Sequence, residues 1–474
     1  MKKILASITA VLLLLVAVPG FAARGSADFT RFVALGDSYG AGVESGSLNQ
    51  NHQPFNWPAI IARQAGAPDF QQPLVSFPGI GPELQLVNLS PTLAPAAGQG
   101  SPINLALPRA YNNLSIPGAN VTDLTTITGA DNPPRNTAQT FAQFILRGKG
   151  TAVDQALSQN PTFIAIWIGG NDLLGAVLSG TPKALTPVET FRTSYNAMLD
   201  RLVAGAPSAG MVVGNLPTSP TVPVLNTVPP ILVRPDNRQP VLDQNGNPIF
   251  LVSDLGNGTI GQLPPGSKVL LTALSKIQTG VGIPATLKTI PPFNLLPNVG
   301  TPLADSDTLT PSEQAEIVAR AAVFNDVITQ AATARNIPVA DIRGLFDRVD
   351  KGLTIGPFTF NGSFITGGIF SLDGFHMTDI GYTLFANEYI KAINSAYDTE
   401  IPLASIAEFF TNNGAFFPET LGTAELQELR ITPAAEQQML MMANPSGPRR
   451  LRAAAHGEEC ESCPTDGSGP RSQQ

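Results

Sequence analysis

The chain has 474 residues, and its 36 acidic and 28 basic side chains give a formal net charge of -8. Charged residues make up only 14% of the sequence, and no basic patch of the kind that binds nucleic acid is present. The composition therefore excludes a nucleic-acid partner and favours neutral or apolar ones. The length exceeds that of one compact domain, although an α/β domain with large insertions accommodates it.

Residues 1–22 have the pattern of a secretory signal peptide. Lys2 and Lys3 precede an apolar run over residues 4–18, and small residues follow near Ala22. Because this run is short for a membrane span, an uncleaved anchor is the less favoured alternative. We expect an exported protein, either periplasmic or fully secreted.

Residues 31–42 read R-F-V-A-L-G-D-S-Y-G-A-G and contain the candidate nucleophile. The apolar run predicts a buried strand over residues 32–35, with Ser38 just beyond its carboxyl end, where ligands bind in open α/β sheets. A plain strand and glycine turn is one interpretation. A dinucleotide fingerprint is disfavoured, since glycines 40, 42 and 46 are spaced G-x-G-x-x-x-G. The third interpretation is the G-x-S-x-G nucleophile elbow.

Further along, predicted helices alternate with predicted strands, which indicates a parallel sheet covered on both faces. The stretch at residues 67–110 is expected to be irregular. Thr186 and Thr310 are each expected to cap a helix, because Pro and Glu follow each of them at the spacing of a capping box. Strands are predicted within residues 111–124, 163–168, 211–214 and 337–340, and helices over residues 56–65 and 378–396 and after the two threonines.

The sequence also predicts the domain boundaries. The main domain spans residues 28–398 and contains a proline-rich insertion at 216–307, a cap or subdomain with a hairpin that turns at Asn245-Gly246. A C-terminal extension covers residues 399–443, and the polar tail at 444–474 is expected to be disordered.

Both cysteines, Cys460 and Cys463, lie in that tail as C-x-x-C. They are able to pair with each other in an exported chain. A zinc site is disfavoured because it needs two further ligands and only His456 is near.

A serine needs a base, and the chain has three histidines: His52, His376 and His456. His456 lies in the tail and His52 in an early polar loop, whereas His376 directly precedes a predicted helix. Asp373 lies three residues before His376, where a tight turn would aim its carboxylate at the imidazole. An ordinary surface turn is the alternative for an isolated D-x-x-H.

Four blocks of the sequence resemble the GDSL, or SGNH, hydrolase family, in the family's order. The first is Gly36-Asp37-Ser38-Tyr39, with tyrosine where leucine is commonest. Pro117-Gly118-Ala119-Asn120 is similar to the glycine block, and Gly169-Gly170-Asn171-Asp172 to the G-x-N-D block. Asp373-Gly374-Phe375-His376 is similar to the D-x-x-H block, although Met377 replaces the frequent proline. An ordinary α/β-hydrolase is disfavoured, because only one strand precedes Ser38.

The resemblance implies a three-layer α/β/α, flavodoxin-like fold with a central parallel sheet and a large insertion. It implies a Ser38, His376 and Asp373 triad that needs neither cofactor nor metal. It also implies an oxyanion hole formed by the backbone N–H groups of Ser38 and Gly118 and the side-chain amide of Asn171. For Asp37 and Asp172 we expect hydrogen bonding within their loops, with local capping the favoured role.

These observations predict a secreted serine esterase or lipase that cleaves carboxylic esters through an acyl-Ser38 intermediate. Its partner is expected to be a small-molecule or lipid ester, and peripheral contact with membrane lipid is left open. Because residues 216–307 are rich in aliphatic residues and poor in aromatic ones, they are expected to wall an apolar acyl site. The alternatives are a carbohydrate acetylesterase and a catalytically silent module that binds envelope glycans or lipids.

Overall fold

The structure is a computed structural model that describes residues 22–87, 92–218, 222–234, 239–256, 258–411 and 429–443. The predicted signal peptide, apart from its last residue, lies outside the described residues. So does the predicted tail at 444–474, with Cys460, Cys463 and His456. Among the helices that the structure describes, none combines the length and the hydropathy that a membrane crossing requires.

The described helices and strands alternate through most of the chain. The α-helices are α1 Ser38–Ala41, α2 Trp57–Gln64, α3 Asp123–Thr126, α4 Thr137–Ile145, α5 Ala152–Leu157, α6 Asn171–Leu178, α7 Val188–Gly205, α8 Pro223–Asn226, α9 Leu274–Gln278, α10 Pro311–Thr333, α11 Ile342–Asp350, α12 Asp379–Tyr397, α13 Ala407–Thr411 and α14 Pro433–Ala443. The strands are β1 Phe32–Gly36, β2 Val43–Glu44, β3 Ser47–Leu48, β4 Leu84–Val87, β5 Thr92–Pro95, β6 Phe163–Trp167, β7 Gly210–Gly214, β8 Val252–Asp254, β9 Ile260–Gln262, β10 Lys268–Val269, β11 Thr308–Leu309, β12 Val339–Ala340, β13 Leu353–Ile355, β14 Phe358–Phe360 and β15 Arg430–Ile431.

Four parallel strands form the central sheet in the order β1-β6-β7-β12. Every residue of β1, β6 and β7 is buried, as expected for strands that are covered on both faces. Residues 112–116 run beside β1, because the Ala34 N–H donates to the Asn112 carbonyl and the Leu114 N–H donates to the Ala34 carbonyl. If this segment is counted as a strand and the five strands are renumbered along the chain, the sheet order is 2-1-3-4-5. This is the flavodoxin-like order that the sequence predicts.

Two helical layers cover the sheet. On one side α12 packs against α2 and against β7 and β12, and the Tyr389 hydroxyl donates to the Ile166 carbonyl oxygen of β6 at 2.7 Å. On the other side α7 contacts α5 and α10, with the rings of Phe191 and Phe324 stacked 3.9 Å apart. The predicted α/β/α architecture is confirmed.

Two local predictions differ from the structure. Residues 67–110 are not wholly irregular, because β4 and β5 pair antiparallel and β15 joins β5 from the far end of the chain. That pairing is a long-range effect, which no local pattern reveals. Thr186 does not cap α7: the helix begins at Val188 with Pro187 at the cap position, and the Thr186 N–H donates to the Asp172 carbonyl instead. The predicted capping box at Thr310 is present.

The insertion at residues 216–307 contains α8, α9 and three short strands, β8 to β10. Its predicted turn at Asn245-Gly246 is flanked by an antiparallel bridge between Leu242 and Pro248, without regular strands on either side. Gly246 adopts a φ of 82°, which suits glycine at a turn of this kind.

The C-terminal extension docks on the domain through β15 and α14. Ala435, Met439 and Met442 are buried, and the Met441 carbonyl accepts a hydrogen bond from the Thr137 hydroxyl at 2.8 Å. The Gln438 side-chain amide donates to the carbonyl oxygens of Gly46, at 3.0 Å, and of Pro82. The extension therefore contributes to the core and also contacts the turn between β2 and β3.

We expect Met439→Ala to lower the free energy of unfolding by about 2 to 5 kcal/mol, because it leaves a cavity in packed surroundings. Gln437→Ala on the exposed side of the same helix is the matched control; it should change stability by no more than about 0.5 kcal/mol. Urea unfolding of both variants measures the difference. Equal midpoints would show that α14 does not pack on the domain.

Candidate active site

Ser38 begins α1, directly after β1 ends at Gly36. The Asp37 carboxylate accepts the Tyr39 backbone N–H at 3.0 Å and caps this single turn of helix. Gly40 is required inside the turn, because a Cβ there would lie 2.2 Å from the Ser115 hydroxyl oxygen. The chain thus turns sharply at the carboxyl edge of the sheet with Ser38 at the bend.

Asp373 and His376 form a fully buried pair. The Asp373 Oδ2 atom lies 2.7 Å from His376 Nδ1, and neither side chain is exposed to solvent. Asp373 also accepts the backbone N–H groups of Gly46, Phe375 and His376 at 2.7, 3.1 and 2.9 Å. Burial alone would raise the pKa of Asp373, but the charge and hydrogen bonds of His376 outweigh it and lower that pKa below its ordinary value.

The other imidazole nitrogen, His376 Nε2, is buried, and no hydrogen-bond partner for it exists among the described residues. A Ser38 to His376 hydrogen bond is therefore not formed here, and such bonds are often long or misaligned before substrate binds. An unpaired buried nitrogen costs free energy. A buried Nε2 without a partner is the arrangement expected of a general base before it takes the serine proton.

Tyr39 connects the serine turn to the histidine loop. Its hydroxyl donates to the Phe375 carbonyl at 2.6 Å, and its ring centroid lies 5.8 Å from that of His376. In the sequence Tyr39 is visible only as a departure from leucine, and nothing there predicts this contact. The sequence also offers no signal for the Gly46 N–H donor.

The predicted oxyanion-hole groups lie on loops that follow neighbouring strands. Asn171 is the first residue of α6, and its side-chain amide donates to the Ala119 carbonyl at 2.8 Å, beside Gly118. Gly118 adopts a φ of 81°. The backbone N–H groups of Ser38 and Gly118 have no acceptor in the described part of the chain. The carboxyl edge of the sheet thus brings these loops together.

Ser38 and Asn171 line an open cavity of about 950 Å³, a volume that includes its solvent-open part. Its walls are mainly aliphatic and aromatic. The lining comes from α6 (Leu173, Leu174, Val177), from α10 (Gln314, Ile317, Val318, Ala321), from residues 216–225 (Leu216, Pro217, Thr218, Val222, Leu225), and from Asp37, Tyr39, Trp167, Gly170, Leu309, Phe346 and Phe375. Among the described residues of the predicted insertion, those that reach the cavity lie between Leu216 and Leu225, and α10 supplies a further part of the wall.

Asp37 and Asp172 are buried acids next to this site. Burial raises the pKa of Asp37 to about 8, with a further increase from the nearby Asp172 charge. Burial also raises the pKa of Asp172 to about 7. Asp37 is a local cap, as the sequence predicts. Asp172 instead accepts the Val121 N–H at 3.0 Å and so joins α6 to the glycine loop.

Deprotonation of Asp37 should lower the free energy of unfolding as the pH rises. Because its pKa is about 8 in the folded chain and ~3.9 in an unfolded one, the folded state binds the extra proton between those values. The free energy of unfolding should therefore fall between about pH 5 and about pH 8, by at most ~1.4 kcal/mol per pH unit from this group. Asp172 acts in the same direction.

Asp37→Asn keeps an acceptor for the Tyr39 N–H and should flatten this pH dependence. Urea unfolding across that pH range measures it, with Glu189→Gln as the control, since Glu189 is 79% exposed. A variant whose stability falls as steeply as that of the wild type would refute the assignment.

Comparison with known proteins gives a family for the chain. The model of the GDSL-like Lipase/Acylhydrolase family matches residues 32–389, three quarters of the sequence. A search of curated proteins gives no match.

Similar solved structures include phospholipase A1 from Streptomyces albidoflavus NA297, with 16% identity, 79% of this chain and 100% of that chain covered, and a TM-score of 0.31. A family 3 carbohydrate esterase from Clostridium thermocellum has 12% identity, coverage of 77% and 96%, and a TM-score of 0.31. An extracellular lipase from Streptomyces rimosus has 15% identity, coverage of 77% and 99%, and a TM-score of 0.33. On the extent of the family-model match, the chain belongs to the GDSL-like lipase/acylhydrolase family.

Proposed function

We propose that this chain is an exported esterase or lipase that hydrolyses carboxylic esters through an acyl-Ser38 intermediate. The observation that carries the proposal is the buried Asp373–His376 pair, in which His376 Nε2 has no hydrogen-bond partner. The Tyr39 hydroxyl bond to Phe375 holds the loop of this pair against the serine turn. Export rests on the sequence pattern at residues 1–22 alone.

In the proposed mechanism, His376 Nε2 takes the Ser38 hydroxyl proton as the serine oxygen attacks the ester carbonyl carbon. Asp373 holds Nδ1 and stabilises the imidazolium. The oxyanion of the tetrahedral intermediate accepts hydrogen bonds from the Ser38 and Gly118 N–H groups and the Asn171 amide. His376 then gives the proton to the leaving alcohol, and water hydrolyses the acyl-serine by the same steps.

Ser38→Ala and His376→Ala should each remove nearly all esterase activity, because the two groups act as one proton-transfer unit. Ser38→Ala should leave the melting temperature close to that of the wild type, whereas His376→Ala should also lower it, because Asp373 then stays buried without its partner. Asp373→Asn should lower kcat by about 10⁴. Hydrolysis of a p-nitrophenyl ester measures all three. A fluorophosphonate probe should label the wild type at Ser38, and an unlabelled, inactive wild type would favour the silent binding module.

The cavity supports an apolar acyl group as the preferred substrate portion. Aliphatic side chains of α6 and α10 form much of its walls. Its four aromatic lining residues are all buried and so expose little ring face on which a sugar could stack. Each methylene buried there should contribute about 0.8 kcal/mol, or roughly fourfold in kcat/KM.

We expect kcat/KM to rise from acetyl to octanoyl esters. Val318→Trp should suppress that rise and retain acetyl hydrolysis, because Val318 lines the cavity. Val323→Trp is the matched control: both valines lie on α10 and are 37% exposed, but Val323 is not a lining residue. Highest efficiency on acetyl esters in the wild type would instead favour an acetylated sugar as substrate.

A further inference from the structure

A second cluster of titratable side chains lies outside the proposed catalytic site. This His52 cluster consists of His52, Glu44 of β2, Glu83 just before β4, and Asp379, the first residue of α12. His52 Nδ1 is 3.2 Å from Glu44 Oε2 and 3.2 Å from Asp379 Oδ2, and Nε2 is 3.3 Å from Glu83 Oε2. The four side chains are only 12 to 19% exposed.

Three carboxyl groups face one imidazole, so the fully ionised cluster has more negative charge than its imidazole can balance. Nδ1 carries at most one proton, yet it faces two carboxylates. Glu44 Oε2 is buried and has no hydrogen bond to any described residue. No salt bridge from a lysine or arginine reaches Glu44, Glu83 or Asp379 within the described ranges. Charges in such surroundings are usually paired or bound to a metal ion.

The spacing of these atoms also suits a shared cation. The His52 Nδ1 contacts with the Asp379 oxygens, at 3.3 and 3.2 Å, are hydrogen bonds, but charge-assisted N–H···O bonds are shorter, at about 2.7 to 2.9 Å. Ligands placed at about 2.0 to 2.1 Å around a tetrahedral ion are roughly 3.3 Å from one another. The three ligand atoms from Glu44, His52 and Asp379 all lie within 4.8 Å of each other.

Glu83 supplies the partner that a metal-binding histidine normally has on its other nitrogen. With the proton on Nε2, which lies 3.3 Å from Glu83 Oε2, the Nδ1 lone pair is available to bind an ion beside Glu44 and Asp379. Asn49 in turn donates to Glu83 Oε2 at 3.0 Å, which fixes the carboxylate. This tautomer is the one that coordination requires.

We propose that His52 Nδ1, Glu44 Oε2 and the Asp379 carboxylate bind a divalent cation of the Zn²⁺ class. A nitrogen ligand beside two oxygens suits zinc, whereas Ca²⁺ and Mg²⁺ take oxygen ligands. The ion would join β2 to the start of α12. Gly46, which donates to Asp373, lies two residues from Glu44, and His376 lies three residues before Asp379, so the site supports the proposed triad without touching it.

A proton is the competitor for the same position. Burial lowers the pKa of His52, but Glu44, Asp379 and Glu83 outweigh it and raise the pKa well above its ordinary value. Burial, with the nearby Asp379 charge, also raises the pKa of Glu44 to about 8. The rival arrangement is therefore an imidazolium beside a protonated Glu44, without an ion. Zinc has to displace these protons, so binding should weaken as the pH falls.

The test uses the full chain with Cys460→Ser and Cys463→Ser, so that the C-terminal thiols do not bind the probe. After chelator treatment and dialysis against ZnCl₂ near pH 8, elemental analysis should find about one zinc ion per chain, and the melting temperature should rise by roughly 2 °C or more. His52→Gln and Glu44→Gln should each abolish both effects. Asp69→Asn, an exposed carboxylate paired with Arg109, should retain them.

Two results would overturn the proposal. One is a chain that takes up no zinc and whose melting temperature does not respond to ZnCl₂, which is the behaviour of the imidazolium arrangement. The other is zinc uptake that persists in both His52→Gln and Glu44→Gln, which would place the ion elsewhere. A parallel arm with CaCl₂ should give no comparable shift, and a shift with calcium but not zinc would refute the proposed class of cation.

Discussion

The hydrogen bond between Asp373 and His376 is the interaction on which the candidate site depends. Two groups that are fully removed from water carry a large desolvation cost, which is tolerable only when their hydrogen-bonding capacity is used. Asp373 meets this condition with backbone donors from its own turn and from Gly46, more than 300 residues away in sequence. The pair therefore fixes the positions of two distant parts of the chain relative to each other.

The parallel sheet places the other site residues at the edge where this pair lies. β1, β6 and the segment at residues 112–116 all end at one edge, so Ser38, Asn171 and Gly118 follow neighbouring strands. The same edge receives residues 216–218 after β7, and α10 lines one side of the cavity. Polar donors and apolar walls thus come from different segments that share one edge.

The sequence predicts the parts of this arrangement that are encoded locally. Ser38, Asn171 and the Asp373–His376 turn each lie in a short block, and a buried strand is recognisable from its own apolar residues. It does not predict the contacts that close the structure. The Tyr39 hydroxyl bond to Phe375 and the pairing of β15 with β5 join residues that are far apart in sequence. Local patterns contain no information about such partners.

The role given to the insertion shows the same limit. Its aliphatic composition predicts a wall for an apolar site, and Leu216, Val222 and Leu225 are among its residues that line the cavity. Composition alone does not tell which of about ninety residues reach the site, nor that α10 supplies four further lining residues. Ile317, Val318 and Ala321 occur at helical spacing, a pattern that is common to core packing and to cavity lining.

Gln438 also has a consequence for the order in which the molecule is completed. Ribosomal synthesis proceeds from the amino terminus, so Ser38, Asp373 and His376 all exist before Gln438 is made. Until then the Gly46 carbonyl lacks the hydrogen bond that the Gln438 amide donates to it in the complete fold. The N–H of the same glycine donates to Asp373. A nascent chain can thus carry every proposed reacting group before their support is complete.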